Sequence, residues 1–367
     1  MMNIYLGDKH SVENMQVTKV FDFAKPILHK DILSKKDLVR KYGKHHTFYY
    51  LTYKIEDADF CVLPYSWNYY YDNNKIKEAL SFINNCKEAG KEVVTVNLGD
   101  FGVKVPVEDV IVIRQSGYQS KRLLKQFGMS VFFTDPLNVF FNDNLKLREK
   151  GEKPVVGFCG QGKMPGYKYV ASTGLTLYRN IKYYTGLSNN EPQVLYPSTL
   201  RRNIILGILE KSKKVTTDFL IREKYRGGAK GPEEMLKTTM EFYNNIINSD
   251  YTVSIRGGGN FSVRIYETLA MGRIPLFINT DSVLPFDKHI NWKDHVVWVE
   301  ENEMKYSDEK LADFHNEIHP DDFKQLQLNN RKLWLEYLSF GGFYYHLKDI
   351  IEDCSNLSNN KSQGIQL

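Results

Sequence analysis

The sequence predicts an α/β fold built from two Rossmann-like α/β/α domains that face each other across a cleft. The 367 residues suit two domains of ordinary size, each large enough to bury its own core. Short apolar runs alternate with segments of helical periodicity, which is the rhythm of βαβ units with mostly parallel sheets. A polar stretch at residues 142–153 interrupts that rhythm and ends at Pro154. We therefore expect a first domain at 1–150, a second at 151–345 and a C-terminal tail at 346–367.

The first half opens with the alternation of a βαβ unit. Residues 3–7 and 60–64 are short apolar runs that predict strands, and the second run ends at a proline. Between 76 and 89 the apolar residues fall at helical spacing, and Gly90 supplies a stop. A β-rich run at 92–96 follows directly, so the order strand, helix, strand is expected here.

The second half repeats the pattern with clearer boundaries. Pro232 in a first turn, followed by two glutamates, is typical of a helix N-terminus. Residues 321–337 carry an amphipathic helical pattern, and the polar residues 356–367 predict a frayed end. The expected strands are 155–158, 215–219, 251–255 and 274–278, and the expected helices include 198–211 and 262–271.

Composition and charge place the chain among soluble globular proteins. Hydrophobic residues make up 42% and charged residues 25%, and the mean hydropathy is -0.43. The formal net charge of +5 includes no polybasic block, which argues against a nucleic-acid partner. The sequence has neither a basic leader before an apolar run nor the ~20 consecutive apolar residues of a spanning helix, so we expect a cytoplasmic protein. The four cysteines lie far apart without Cys-x-x-Cys spacing, which predicts reduced, mostly buried thiols.

A glycine-rich turn between a predicted strand and a predicted helix is the strongest functional signal. Three consecutive glycines follow the strand at 251–255, where backbone N–H groups and the helix dipole form an anion site. Arg256 at the strand end and Arg264 in the first helical turn add forked donors for phosphate oxygens. The predicted anion site consists of Arg256, Gly257, Gly258, Gly259, Asn260 and Arg264.

Two further side chains of the predicted helix complete this site. Ser262 is a candidate N-cap residue. Glu267 lies three residues after Arg264, so both side chains project from one helix face. A carboxylate there can accept hydrogen bonds from the two hydroxyls of a ribose. The alternative is an ordinary glycine-rich turn with an i,i+3 ion pair.

Several motifs around this turn share one pattern. They are residues 262–267 (SVRIYE), 272–275 (GRIP) and 284–286 (LPF), Arg222 with 226–229 (RGGA), and 56–64 (EDADFCVLP). Together they resemble the signature of exostosin-family glycosyltransferases in their bacterial or viral single-domain form. The resemblance is strong in residues 215–300 and loose before 150.

The resemblance implies a GT-B fold and an inverting glycosyltransferase that uses a UDP-sugar donor without a catalytic metal. It implies that Arg256 and Arg264 bind the diphosphate, that Arg222 joins them, and that Glu267 binds the ribose. The second domain would then hold the nucleotide sugar and the first the acceptor. The expected acceptor is an oligosaccharide or lipid-linked glycan of a surface polysaccharide, and a lipid-linked acceptor allows peripheral membrane contact. No other cofactor is expected.

The catalytic base stays open among three residues of the first domain. Inverting transfer needs a group that takes the acceptor proton. Asp8, His10 and Asp100 each follow a predicted strand, where a side chain can face the cleft. Each of them also fits the ordinary role of a turn or cap residue.

Three other motifs invite functional interpretations that the sequence does not favour. Asp57 and Asp59 match Asp-x-Asp, but they precede a strand, whereas a metal site would follow one. His315 and His319 lack the intervening glutamate of a zinc helix, so we expect a surface helix end. The glycines of residues 157–162 have the wrong spacing for a dinucleotide fingerprint and predict the first turn of the second domain instead.

Two alternative functions remain open at this stage. The chain could be a different GT-B enzyme with a GDP-sugar donor, similar to fucosyltransferases. It could also be a nucleotide-sugar-binding module without catalytic activity. The sugar itself is left open, because selectivity for hydroxyl orientation depends on a few side chains.

Overall fold

The computed structural model has an α/β fold with two parallel sheets, of six and five strands, both flanked by helices. It describes residues 2–16, 19–20, 24–28, 34–42, 48–162, 166–195 and 198–362. Among these residues no helix is both long and apolar enough to cross a membrane.

The first sheet has the strand order β2-β1-β3-β4-β5-β6, and every neighbouring pair is parallel. Its strands are β1 (Met2–Tyr5), β2 (Tyr49–Thr52), β3 (Phe60–Val62), β4 (Val93–Asn97), β5 (Ile111–Arg114) and β6 (Gln126–Gly128). The helices of this half are α1 (Lys9–Glu13), α2 (Lys25–Leu28), α3 (Lys35–Tyr42), α4 (Trp67–Asp72), α5 (Ile76–Glu88) and α6 (Pro136–Phe140). Strands β3, β4 and β5 are buried along their whole length, as expected for a parallel sheet covered on both faces.

The second sheet has the order β11-β10-β9-β7-β8 and is also fully parallel. Its strands are β7 (Val155–Gln161), β8 (Thr216–Arg222), β9 (Tyr251–Ser254), β10 (Ile274–Asn279) and β11 (Val297–Glu300). The helices are α7 (Gly166–Tyr184), α8 (Ser198–Lys211), α9 (Pro232–Asn248), α10 (Val263–Ala270), α11 (Ser307–Glu317), α12 (Pro320–Leu333) and α13 (Phe340–Ser362). A π-helical turn at Trp334–Leu338 joins α12 to α13, and short 3₁₀ turns lie at Gln119–Lys121, Tyr225–Gly228, Trp292–Asp294 and Glu301–Tyr306.

The C-terminal helix belongs to the core of the first half. Leu347, Ile350, Ile351 and Cys354 are buried in the same apolar cluster as the strands of the first sheet. The segment assigned to a tail from residue 346 is therefore helical to Ser362, and residues 346–355 pack on the core. The i, i+3, i+4 and i+7 spacing of these four side chains is the helical signal that identifies it.

The sequence patterns predict the elements closely. Helix α8 has the predicted bounds, 198–211, and α9 begins at Pro232 as expected. The cysteines are buried and free, as expected. The interpretation of His315 as a surface residue is wrong. Its ring is fully buried and bonds through Nδ1 to the Tyr251 hydroxyl and through Nε2 to the Gly151 carbonyl, both at 2.9 Å.

Candidate functional site

A cleft of about 600 Å³ opens at the carboxyl ends of the strands of the second sheet. The carboxyl end of β7 and the loop after β9 both line it. These two strands are neighbours, but the chain leaves them toward opposite edges of the sheet, which makes this point a topological switch point. Open parallel sheets bind their ligands at such points.

Polar and charged side chains from both halves of the chain face this cleft. The charged ones are four arginines and two carboxylates: Arg202, Arg222, Arg226, Arg264, Asp100 and Glu267. Around them lie glycines, hydroxyl groups and three aromatic rings, among them Gly160, Gly257, Gly258, Gly259, Ser262, Thr238, Thr239, Phe242, Tyr243 and Phe261. The excess of positive charge favours an anionic ligand.

The glycine loop contacts the first half of the chain directly. A Cβ on Gly258 would lie 2.8 Å from Asp100 Oδ2, and one on Gly259 would lie 2.8 Å from the Asp100 backbone. A Cβ on Gly257 would meet nothing within 4 Å. These glycines do not have positive φ, so backbone conformation does not require them. The Asp100 backbone leaves no room for a Cβ at Gly259, whereas the nearest atom at Gly258 is the carboxylate end of the Asp100 side chain, which can shift. The loop therefore lies against Asp100, which follows β4.

Arg264 lines the cleft, and its contacts with β7 fix the orientation of its guanidinium. Its Nη2 donates to the Cys159 carbonyl at 2.9 Å, and its guanidinium lies 4.2 Å from the centre of the Phe158 ring. A Cβ on Gly160 would lie 2.8 Å from Nη2, so the glycine makes room for this side chain. The buried Nε–H has no hydrogen-bond acceptor among the described residues. Burial, with the nearby Arg202 charge, lowers the pKa of Arg264 to about 10.

Glu267 lies one turn after Arg264 on α10, and both side chains line the cleft. Burial raises the pKa of the Glu267 carboxyl to about 7, against the opposing effect of the Arg264 and Arg226 charges. Within the described part of the chain no hydrogen bond reaches this carboxyl group. It is therefore available to accept hydrogen bonds from a ligand.

Arg222 and Arg202 line the cleft from β8 and α8. Arg222 ends β8, and its Nη2 donates to Glu241 Oε2 at 2.6 Å, which fixes the guanidinium beside α9. Arg202 lies on α8, and its Nη1 donates to the Gln161 carbonyl at 2.6 Å. Both cations are thus held in place before any ligand binds, which reduces the entropy that binding costs.

Two residues of the predicted anion site do not line the cleft. Arg256 is buried, and its guanidinium donates to the Tyr118 hydroxyl at 3.2 Å and to the Gly258 carbonyl at 3.1 Å. Asn260 is also buried, and its amide bonds to backbone groups of the first half of the chain. Both residues hold the glycine loop in place. Strand β9 is buried along its length, so its pattern does not indicate to which side Arg256 points.

The three candidate bases lie in different environments. Asp100 lines the cleft. Asp8 caps α1 by accepting from the Ser11 N–H at 2.7 Å, a bond that lowers the pKa of Asp8. His10 lies on α1 beside Asn14, and neither it nor Asp8 is among the residues that line the cleft. The cap role proposed as the alternative for Asp8 is therefore the one that the structure has.

Ser262 lines the cleft but does not cap α10 through its side chain. Its backbone is extended at the N-cap position, while the hydroxyl makes no capping hydrogen bond. Ser262 is therefore the N-cap residue of α10, as predicted, but its hydroxyl does not make the capping bond.

The sequence did not predict Arg202 as a site residue, and Arg226 was identified only as part of the motif at residues 226–229. Arg202 lies on a helix more than fifty residues before the glycine loop, and the pattern of α8 does not distinguish it from its neighbour Arg201. Three residues of α9 line the cleft only because this helix packs beside β7 and β8: Thr238, Thr239 and Phe242. Such contacts depend on tertiary packing.

The Asp-x-Asp pair at Asp57 and Asp59 stabilises the first sheet. Asp59 Oδ2 accepts from the Asn3 N–H at 2.6 Å and so links the turn before β3 to β1. In the portion of the chain that the structure describes, no group of three or more His, Cys, Asp or Glu side chains is arranged to hold a metal ion.

Comparison with known proteins does not assign the chain to a family. The sequence matches neither a protein-family model nor a curated protein. The functional interpretation therefore rests on the cleft and its residues.

Proposed function

We propose that the chain is an inverting glycosyltransferase of the GT-B class that transfers a sugar from a UDP-sugar to a hydroxyl of a glycan acceptor. The observation that carries this proposal is the pairing of four arginines with one carboxyl, Glu267, in a single cleft at a switch point. A nucleoside diphosphate presents both charges and vicinal hydroxyls, and this set of side chains matches both.

The diphosphate would lie against Arg264, Arg222 and Arg202. Arg264 lines the cleft with its guanidinium held by the Cys159 and Val253 carbonyls, and the glycine loop offers backbone N–H groups at the start of α10. Fixed guanidinium groups stabilise the charge that develops on a departing diphosphate. In this proposal they have the role that a divalent cation has in other enzymes that use nucleotide sugars.

The ribose would bind beside the diphosphate through Glu267. Its carboxyl lies one helical turn from Arg264, so the two side chains are neighbours on one helix face and can contact adjacent groups of one ligand. A carboxyl group can accept from both ribose hydroxyls. Phe242 and Tyr243 line the same cleft and offer apolar faces for the base or the sugar.

We assign the catalytic base to Asp100. Of the three candidates it alone is among the cleft residues, and it belongs to the half of the chain that would hold the acceptor. In the proposed step its carboxylate takes the hydroxyl proton while the acceptor oxygen forms a bond to the anomeric carbon. The bond from that carbon to the phosphate oxygen breaks, and its electron pair leaves with UDP. Attack on the opposite face inverts the anomeric configuration.

Binding and turnover separate the proposed roles. Arg264→Lys keeps the charge but loses the forked geometry, and we expect UDP affinity measured by calorimetry to fall about tenfold. Asp100→Asn should leave that affinity within about twofold while transfer falls by at least about a hundredfold. Unchanged transfer in Asp100→Asn would remove Asp100 as the base, and retained UDP affinity in Arg264→Lys would contradict the diphosphate site.

A donor panel distinguishes the two alternative functions. We expect turnover with a labelled UDP-sugar and none with GDP-fucose, and activity that persists in EDTA. Turnover with GDP-fucose alone would favour a fucosyltransferase-like enzyme. UDP binding without any turnover across the panel would favour a binding module. A cytoplasmic location and a role in surface polysaccharide synthesis, with a lipid-linked acceptor, complete the proposal.

A further inference from the structure

Helix α7 exposes an apolar stripe to solvent. Its outward side chains are apolar or aromatic and between 50% and 74% exposed: Tyr167, Val170, Leu177, Tyr178, Ile181 and Tyr184. Their spacing of three, four or seven residues places them within about one third of the helix circumference. A surface helix of a globular protein normally turns such a stripe toward the core.

The inward side of α7 is polar by comparison. The half-buried residues of its middle section are Thr173, Thr176 and Asn180, at the spacing of the opposite face. Asn180 exchanges two hydrogen bonds with Gln193, of 2.7 and 2.9 Å, and Arg179 lies 4.9 Å from the centre of the Phe101 ring. The helix is thus attached through its polar side, which leaves the apolar stripe without a partner among the described residues.

The charge on this helix has one sign. Residues 166–184 include Lys168, Arg179 and Lys182 and contain neither Asp nor Glu. Lys182 lies 5.0 Å from the centre of the Tyr178 ring, at the edge of the stripe. The next acidic residue along the chain is Glu191, which is paired with Arg114. Arg179 lies on the inward side against Phe101, so Lys182 is the cation that the structure places at the edge of the outward apolar stripe.

We propose that the apolar stripe of α7 docks the protein on the surface of a bilayer that contains anionic lipids. Basic amphipathic helices bind in this way, with the apolar face at the acyl boundary and the cations at the headgroups. Three of the six stripe residues are tyrosines, which favour the membrane–water interface. A second copy of the chain would bring two positively charged edges together, so charge complementarity favours the lipid surface over self-association. This inference does not depend on the transferase proposal.

Vesicle co-sedimentation of the full chain tests the proposal. We expect binding to vesicles of phosphatidylcholine mixed with phosphatidylglycerol, weak binding to phosphatidylcholine alone, and a decrease with added salt. Leu177→Glu/Ile181→Glu should weaken binding by at least about tenfold, because both apolar contacts are lost and negative charge is added. Lys182→Gln should weaken binding about threefold to fivefold.

The matched control is Leu123→Glu/Leu124→Glu, which changes two side chains of similar exposure, 54% and 53%, outside α7. It should bind the mixed vesicles like the wild type, and thermal unfolding should show that all variants fold. Absence of vesicle binding by the wild type, or equal loss in both double variants, would overturn the proposal. So would a dimer in sedimentation velocity that Leu177→Glu/Ile181→Glu abolishes without any vesicle binding.

Discussion

The side-chain amide of Asn260 donates a hydrogen bond of 2.8 Å to the backbone carbonyl of Gly117 in the other half of the chain. The same amide donates to the Asp281 carbonyl at 3.0 Å, and its oxygen accepts from the Thr280 hydroxyl at 2.7 Å. The Asn260 N–H also donates to the Ser116 hydroxyl. Asn260 therefore joins the glycine loop to the loop after β5, and its side chain is fully buried.

We expect Asn260→Ala to lower the free energy of unfolding by about 2 to 4 kcal/mol. The substitution leaves the buried Gly117 carbonyl without its side-chain donor and removes the Asn260 acceptor of the buried Thr280 hydroxyl, and such losses are costly in an apolar environment. The Asp281 carbonyl keeps the Gln119 N–H as a donor. Urea denaturation measures the change. Asn138→Ala is the control, since this exposed amide bonds only to Asp143, and it should change stability by less than about 0.5 kcal/mol. Equal effects of the two substitutions would contradict the linking role.

The glycine loop gives a second prediction from its contact with Asp100. Gly259→Ala places a methyl group 2.7 Å from the Phe261 ring and 2.8 Å from the Asp100 backbone, so we expect a loss of about 1 to 3 kcal/mol. Gly257→Ala meets no atom within 4 Å and should be neutral or stabilise by up to about 1 kcal/mol. Thermal unfolding compares the two. A Gly257→Ala variant as unstable as Gly259→Ala would mean that the loop needs glycine for its conformation.

The raised pKa of Glu267 predicts that the free energy of unfolding decreases as the pH rises. Its pKa rises from an ordinary 4.5 to about 7 in the folded protein, so the folded state binds the proton more tightly than the unfolded state. The carboxyl therefore costs no stability below pH 4.5, becomes increasingly unfavourable as pH rises toward 7, and has its full unfavourable effect above that. The wild type should lose stability relative to Glu267→Gln across this window. Urea denaturation of both proteins from pH 4 to 8 tests this, and parallel curves would contradict it.

The local sequence predicted the parts of the site that lie on one continuous segment. The order of strand, glycine loop and helix, and the shared face of Arg264 and Glu267, follow from spacing alone. The sequence could not decide which way Arg256 points, because β9 is buried on both sides. It also could not identify Arg202, because α8 reaches the cleft through its packing on the second sheet, and it could not choose Asp100 over Asp8 and His10, because that depends on how the turn after β4 meets the glycine loop.

The burial of His315 was missed for a similar reason. The histidine pair before Pro320 has the composition of an exposed helix end, but His315 is buried between Tyr251 and Gly151, both distant in the sequence. The C-terminal helix illustrates the opposite case. Its apolar residues have a regular helical spacing, which predicts a buried helix face in the segment that was assigned to a tail. The spacing does not identify the first sheet as the surface on which the helix packs.

Arg202 and its neighbour Arg201 provide a test of the anion site that sequence alone did not suggest. Arg202 lines the cleft, whereas Arg201 lies 3.7 Å from Glu301, and Arg201 is not among the cleft residues. If Arg202 contributes a charge-assisted hydrogen bond to a diphosphate, its loss costs about 1.5 to 3 kcal/mol of binding. We therefore expect Arg202→Gln to weaken UDP binding by about 10- to 100-fold. Arg201→Gln removes the same charge one residue away and should leave the affinity within about twofold. Because long-range attraction alone would weaken both variants alike, calorimetry on the pair separates a direct contact from a general effect of net charge.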